Sequence, residues 1–332
     1  MTLYLSHPSS HDHETGAHPE NAGRLAAVEA RLEEAGWPGL ERLEAPAATR
    51  EQLARVHADA HIDAIEGLSA RGGGHVDLDT VASAGSWEAA LHAAGGAASA
   101  AEALLDGDAR AAFCGLRPPG HHAERARAMG FCLFNNVAVA AAHALAACGA
   151  ERVLVLDWDV HHGNGTEEIF AGSAEVLYAS IHQSPLYPGT GPAEYEGEGA
   201  GEGFTVNLPV PPGSGSEELC ALVQHVVVPI ARDFRPDLIA ISAGYDAHRD
   251  DPLASCLVDT DGFARMTASV RAVAAELEVP VLVCLEGGYA PRALADSVLA
   301  TVTALAGDGE QAIAAPAAAE PHLFRLRGRW SL

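Results

Sequence analysis

The chain contains no lysine: all 20 basic residues are arginine, against 45 acidic ones, giving a formal net charge of −25 over 332 residues. That absence excludes a Schiff-base lysine and the lysine of a phosphate-binding P-loop. The acidic excess repels nucleic acid, which is not an expected partner, and attracts cationic ligands at long range. Long hydrophobic runs are also missing. No stretch of about 18 uncharged apolar residues occurs, so no membrane span is expected. The opening residues MTLYLSHPSSHDHE lack a basic segment followed by an apolar one, so no secretory leader is expected. Cysteine is sparse: Cys114, Cys132, Cys148, Cys220, Cys256 and Cys284 form no CxxC pair and read as reduced thiols of a cytoplasmic protein. Neither GxSxG nor GxGxxG occurs, which argues against a serine hydrolase and a dinucleotide enzyme.

What the chain does contain is an alternation of two patterns. Residues 84–105, 135–149, 217–234, 261–277 and 291–305 read as helices, and between them lie the short apolar runs RVLVLDW, EVLYASIH, DLIAISAG and PVLVCLE. Strands alternating with helices predict an α/β fold, with a central parallel sheet covered by helices on both faces. No linker interrupts residues 1–306, which are expected to form one domain. Residues 307–332 comprise an Ala/Pro-rich connection and a tail, HLFRLRGRWSL, with three Arg and a Trp. The tail could pack back on the body or meet a neighbouring subunit, which leaves a homo-oligomer open.

The run LVLDWDVHHGNG (154–165) begins as a buried strand and then sets two carboxylates and two imidazoles close together. Side chains alternate along an extended strand, so Asp157, Asp159 and His161 share one side while Trp158, Val160 and His162 take the other. Ligands of open parallel sheets bind beyond the carboxyl ends of the strands. Other expected strand ends carry polar groups too: His121 and His122 after AAFCG, Asp246 after DLIAISAG, Tyr289 after PVLVCLE. A lone strand-end Asp or His is usually a cap or a satisfied core group. Asp159 and His161 together can chelate one ion, with Asp246 as a third ligand. Such a set with an open position suits Zn²⁺, or another divalent first-row ion such as Fe²⁺. Two anionic ligands acidify water less than three imidazoles would, so a nearby base is needed, and His121 and His122 are the candidates.

The segments RPPGHHA with GFCLFNN (117–136), DWDVHHGNGT (157–166), YPGTG (187–191), GYDAH (244–248) and EGGY (286–289) resemble, in order, the motifs of the zinc-dependent histone deacetylase superfamily. The Asn of HHGNG resembles the class II branch and the bacterial histone-deacetylase-like amidohydrolases. That resemblance implies a single arginase/deacetylase-type domain. It also implies a deacetylase acting on acylated lysine or, alternatively, acylated polyamine. It makes Asp159, His161 and Asp246 the zinc ligands, and His122 the general base and acid. His121 becomes an electrostatic partner oriented by Asp157, with Asn164 beside His122 and Tyr289 stabilising the oxyanion. Phe131, with Gly130 before it, Tyr187 and Leu253 would line a narrow substrate channel. A structural K⁺ would be held by Asp157, Asp159, His161, Ser180 and Ile181.

Other features have weaker meanings. His7, His11, His13 and His18 are expected on a rim loop, although they could hold a second metal. His162 is expected to satisfy a backbone partner, and Glu286 to support the site or cap a helix. His248, Arg249, Asp250 and Asp251 are expected near the pocket mouth. An arginase-like binuclear manganese ureohydrolase shares the implied fold but would need more bridging carboxylates and no His121–His122 pair. Leu253 stands where polyamine-selective relatives can carry an acid, while Glu124 and the acidic surface keep the polyamine reading open.

Overall fold

The computed structural model describes residues 1–307 and 319–331. Ten strands form among the described residues: β1 (Thr2–Ser6), β2 (Leu40–Glu44), β3 (Gly73–His75), β4 (Val81–Ser83), β5 (Ala111–Cys114), β6 (Val153–Asp157), β7 (Val176–Gln183), β8 (Thr205–Val210), β9 (Leu238–Ala243) and β10 (Val281–Leu285). Eight make one sheet in the order β2-β1-β5-β10-β9-β6-β7-β8, and β3 and β4 form a small separate pair. Every pairing within the large sheet is parallel. β5, β6, β7, β9 and β10 are buried at every position. That explains why they read as unbroken apolar runs: a parallel sheet covered on both faces has no solvent side to alternate with.

The edges read differently. β2, LERLE, has four exposed residues and β8 contains Pro209. Charge and proline suit a strand with one unpaired side, and they hide it from an apolar-run search. The five expected helices form at Ser86–Leu105, Asn136–Ala147, Ser216–Phe234, Thr260–Leu277 and Pro291–Ala306. The third is not continuous α-helix, because a π-helical segment, Val223–Val227, separates Ser216–Leu222 from Val228–Phe234. Pro229 has no N–H for the carbonyl of His225 four residues earlier, and the wider turn absorbs the missing bond. Asn135 and Asp259 cap their helices by accepting from the backbone N–H groups of Ala138 and Gly262. Among the described residues no helix is long and apolar enough to cross a membrane.

The tail packs back on the body. The helix Glu320–Leu326 places Arg325 so that Nη2 donates to the Asn207 carbonyl on β8 at 3.0 Å, which satisfies part of that sheet edge. Trp330, 8% exposed, meets Phe204 and Phe234 edge-on with ring centroids 6.0 and 6.4 Å apart. Residues 308–318, read from sequence as a loose connection, lie outside the described residues. Trp330→Ala should therefore lower unfolding stability by about 3 kcal/mol, the usual cost of emptying a buried aromatic position. Denaturant titration checks this, and an unchanged midpoint would show that the tail contributes nothing.

Candidate functional site

The sheet order explains the convergence. β5, β10, β9, β6 and β7 are consecutive in space, and the loops leaving their carboxyl ends carry His121 and His122, Tyr289, Asp246, Asp157 to Asn164, and Tyr187 respectively. β6 ends at Asp157, yet the alternation read from sequence continues beyond it: Trp158 and Val160 enter the core while Asp159 and His161 face the site.

Ligand atoms of Asp159, His161 and Asp246 lie within 4.8 Å of one another, and all three residues are buried. His161 Nδ1 is 3.1 Å from both Asp159 Oδ1 and Asp246 Oδ2. Backbone donors aim the carboxylates: Gly287 N–H donates to Asp159 Oδ2, and Val160 N–H to Asp246 Oδ1, each at 2.9 Å. A Cβ at Gly287 would run into both carboxylates, so that approach requires glycine. Burial disfavours a charge on His161, but its bonds to Asp159 and Asp246 outweigh this and push its pKa up to about 10. Two anions and an imidazole nitrogen converging on one point are a fitting donor set for a divalent first-row ion.

Beside this trio stand the two adjacent histidines, ring centroids 4.0 Å apart. His121 Nδ1 lies 3.0 Å from Asp157 Oδ2, which also accepts from the Tyr178 hydroxyl at 3.1 Å. Burial opposes charge on His121, but Asp159 and Asp157 raise its pKa well above the ordinary value. His122 goes the other way, pushed well below by burial and then by His121 and His161. His122 Nδ1 lies 2.8 Å from Asn164 Oδ1, and Asn164 Nδ2 donates to Glu124 Oε1 at 2.8 Å. An amide oxygen can only accept, so the His122 proton sits on Nδ1 and Nε2 keeps a free lone pair.

A cleft of about 220 Å³ opens over these groups, lined by Asp79, His122, Gly130, Phe131, His161, Leu186, Tyr187, Leu253 and Tyr289. Phe131 has φ 70°, following Gly130 at φ 55°, and its N–H donates to the buried Thr80 hydroxyl at 3.1 Å. A Cβ at Gly130 would collide with the His122 ring. Phe131 meets Tyr289 edge-on at 5.7 Å, and Tyr187 meets His122 likewise at 5.2 Å. The Tyr289 backbone N–H donates to Asp251 Oδ2 at 2.6 Å, and the phenol pKa is raised well above normal by burial. Ser180 pairs in register with Asp157, with Ile181 next on β7, while the Ser180 hydroxyl lies 2.9 Å from His182 Nδ1.

Some placements differ from expectation. His162 bonds side chains, Thr190 Oγ1 at 2.8 Å and Glu167 Oε2 at 3.1 Å, rather than a backbone group. Glu286 accepts from the backbone N–H groups of Gly120 and His121 and from the Ser242 hydroxyl, so it holds the His121–His122 loop; burial pushes its pKa up to about 7. Of the group 248–251 only Asp251 touches the site; His248 stacks on Phe263 and Arg249 pairs with Asp259. His13 bonds Ser86, and His18 donates to the Asp79 carbonyl and meets Phe131 edge-on.

Sequence reasoning missed Asp79, Leu186, Tyr178 and the buried chain Arg117–Glu20–Arg24. Arg24 donates to the carbonyls of Glu286 and Gly288, both at 2.6 Å, and lies 4.9 Å from the Tyr289 ring centroid. The rim loop carrying His18, with Glu20 two residues on, was the available signal, but nothing local connects it with EGGY.

Two buried imidazoles make the fold acid-sensitive. Burial, followed by the neighbouring imidazoles His61 and His162, lowers His57 and His182 respectively to about 3. Unfolded, each has a pKa of about 6.5. Between about pH 6.5 and 3 the unfolded chain therefore binds the extra proton. Stability should fall as pH drops through that window, by about 1.4 kcal/mol per pH unit for each imidazole. Denaturant unfolding across the window should show a shallower dependence in His57→Gln, by close to one proton. Equal slopes would mean that His57 is already protonated in the fold.

Comparison with known proteins agrees with this geometry. Residues 18–305 match the Histone deacetylase domain family. A "Probable deacetylase" of Archaeoglobus fulgidus is 41% identical over 97% of this chain and 89% of its own length. The "Histone deacetylase-like amidohydrolase" of Pseudomonas aeruginosa is 41% identical over 87% of this chain and 76% of its own. The crystal structure of the HDA15 HD domain superposes with a TM-score of 0.88 at 42% identity, covering 92% of this chain and 91% of that one. A family match over most of the chain, together with the shared eight-stranded parallel sheet, shows that this chain belongs to the histone deacetylase family, hydrolases acting on amides.

Proposed function

We propose that residues 1–306 form one catalytic domain that hydrolyses the acyl amide of a lysine-like alkylamine, with Zn²⁺ held by Asp159, His161 and Asp246. The observation that carries this reading is the convergence of that trio with a neutral, free-Nε2 His122 and the Tyr289 phenol at the floor of one aromatic-walled cleft. When bound, a divalent ion there supplies Lewis acidity toward water and the amide carbonyl. His122 Nε2 takes a proton from the attacking water and later delivers it to the leaving amine. His121, kept cationic beside Asp157, favours the negative charge that develops. The Tyr289 phenol stays protonated because its pKa is raised, so it can donate to the carbonyl oxygen, most strongly as charge accumulates there. Phe131 and Tyr187 admit an extended alkyl chain between them, with Leu253 at the mouth. A structural K⁺ would be held by Asp157, Asp159, His161, Ser180 and Ile181; the register of β6 and β7 supports this by setting Ser180 beside Asp157.

An acylated polyamine is the second reading, favoured by Asp79 in the cleft wall with Asp77 nearby, where a free ammonium could be received. Acetyl-lysine peptides, acetylspermidine and acetylputrescine compared by kcat/KM separate the two, as do longer acyl-lysines for chain length.

Asp246→Ala should lose bound zinc and acetate release together while the circular dichroism spectrum is kept. One zinc per chain with full activity in that variant would overturn the ligand assignment, and iron found in the parent by metal analysis would replace zinc as the native ion. Tyr289→Phe should lower kcat by roughly two to three powers of ten with a smaller effect on KM. A trifluoroacetyl-lysine substrate, needing less polarisation, should lose less. If both substrates fall equally, the phenol only binds or packs.

A further inference from the structure

The sequence offers Glu124 as an acidic residue near the pocket, suited to receiving an amine. In the structure its carboxylate faces elsewhere. Glu124 Oε1 accepts from Asn164 Nδ2 at 2.8 Å, and the opposite end of that amide, Oδ1, meets His122 Nδ1 at 2.8 Å. We propose that Glu124 is a positioning residue that orients the Asn164 amide and thereby sets which nitrogen of His122 carries the proton. The inference rests on the reading of His122 as the general base.

An asparagine amide has one accepting end and one donating end, and rotation by half a turn exchanges them. With Oδ1 toward the imidazole, His122 must be protonated on Nδ1, so Nε2 can take a proton. With Nδ2 toward it, Nδ1 must accept, the proton moves to Nε2, and the base is lost. A carboxylate only accepts, so Glu124 admits the productive orientation alone. The other nearby acceptor for Nδ2 is the Met129 sulfur at 3.4 Å, which is too weak to fix the amide unaided.

Glu124 is itself held in place. Its N–H donates to the Arg127 carbonyl at 2.9 Å, closing a tight turn. Its carbonyl lies 3.0 Å from His57 Nδ1, and His57 Nε2 accepts from the Asn135 N–H at 2.9 Å. His57 therefore carries its proton on Nδ1 and donates it to Glu124. On either side of the next residue, Arg125 N–H donates to Glu168 Oε2 at 2.9 Å and Ala58 N–H donates to the Arg125 carbonyl at 2.8 Å. These bonds fix the backbone at position 124, and with it the point from which the side chain reaches Asn164.

The test compares Glu124→Ala in two backgrounds of the zinc-loaded full chain. In the parent it should lower kcat by about tenfold, the scale of losing one charge-assisted hydrogen bond, with KM nearly unchanged. Glu124→Gln keeps an acceptor but adds a donor, so both orientations of the Asn164 amide are admitted again and kcat should fall between the parent and Glu124→Ala. In an Asn164→Asp background both oxygens are acceptors, so orientation no longer matters and Glu124 only repels the new carboxylate; Glu124→Ala should cost nothing further there. Long-range ¹H–¹⁵N spectra of histidine-labelled protein give a readout independent of turnover: His122, identified by the signal absent from His122→Ala, should be protonated on Nδ1 in the parent and show both tautomers in Glu124→Ala. An equal loss in both backgrounds, or an unchanged tautomer, overturns the proposal even where His122→Ala abolishes turnover. Near-normal turnover in His122→Ala instead removes the base assignment on which it stands.

Discussion

Four carboxylates, Asp157, Asp159, Asp246 and Glu286, sit at most 1% exposed at the carboxyl end of the sheet, and the local structure is organised around that cost. A buried anion without partners costs several kcal/mol. Here each one is answered separately. Glu286 collects two backbone N–H groups and a hydroxyl, and Asp157 collects His121, the Tyr178 hydroxyl and the Asp159 N–H. Asp159 and Asp246 take backbone donors at one end and converge on His161 at the other. Positive charge is therefore drawn to two places, His121 and the point between Asp159 and Asp246. The second is where a cation fits.

The same constraint separates the two adjacent histidines. Both are buried, yet His121 looks onto Asp157 and Asp159 while His122 looks onto an amide and two other imidazoles. Opposite shifts in neighbouring residues of one loop are what divided acid–base roles require. Asn164 matters here because a carboxylate in its place would favour a charged His122. A neutral amide provides orientation without charge, and orientation then has to come from elsewhere.

Much of this was legible because the contributing groups are local. A strand read as an apolar run has its ligands within a few residues of its end, and parallel pairing brings several such ends to one edge. Alternation carried Asp157, Asp159 and His161 to one side even though β6 stops at Asp157. The edge strands β2 and β8 were not legible because exposure and Pro209 remove the apolar signal. The π-helical turn before Pro229 could be read as a weak point, but not as a wider turn in place of a break. His162 was misassigned a backbone partner because Thr190 and Glu167 lie on other segments.

The least legible part is the support of Tyr289, which is built from the opposite end of the chain. Arg24 and Arg117 are at most 1% exposed and share the carboxylate of Glu20, itself fully buried. Arg117 also donates to the carbonyls of Ser10 and His13, so the N-terminal loop is tied down by one guanidinium while Arg24 holds the carbonyls on either side of Gly287. Only a planar fork with five donors can serve carboxylate and carbonyls together; a lysine in either position would leave acceptors unsatisfied. The rim loop, the Glu20 carboxylate and the turn presenting the phenol thus form one hydrogen-bonded unit joined across more than two hundred residues of sequence. The phenol's position is in this way set by packing that begins at the N-terminus, which is why a motif four residues long can name the tyrosine but not what holds it.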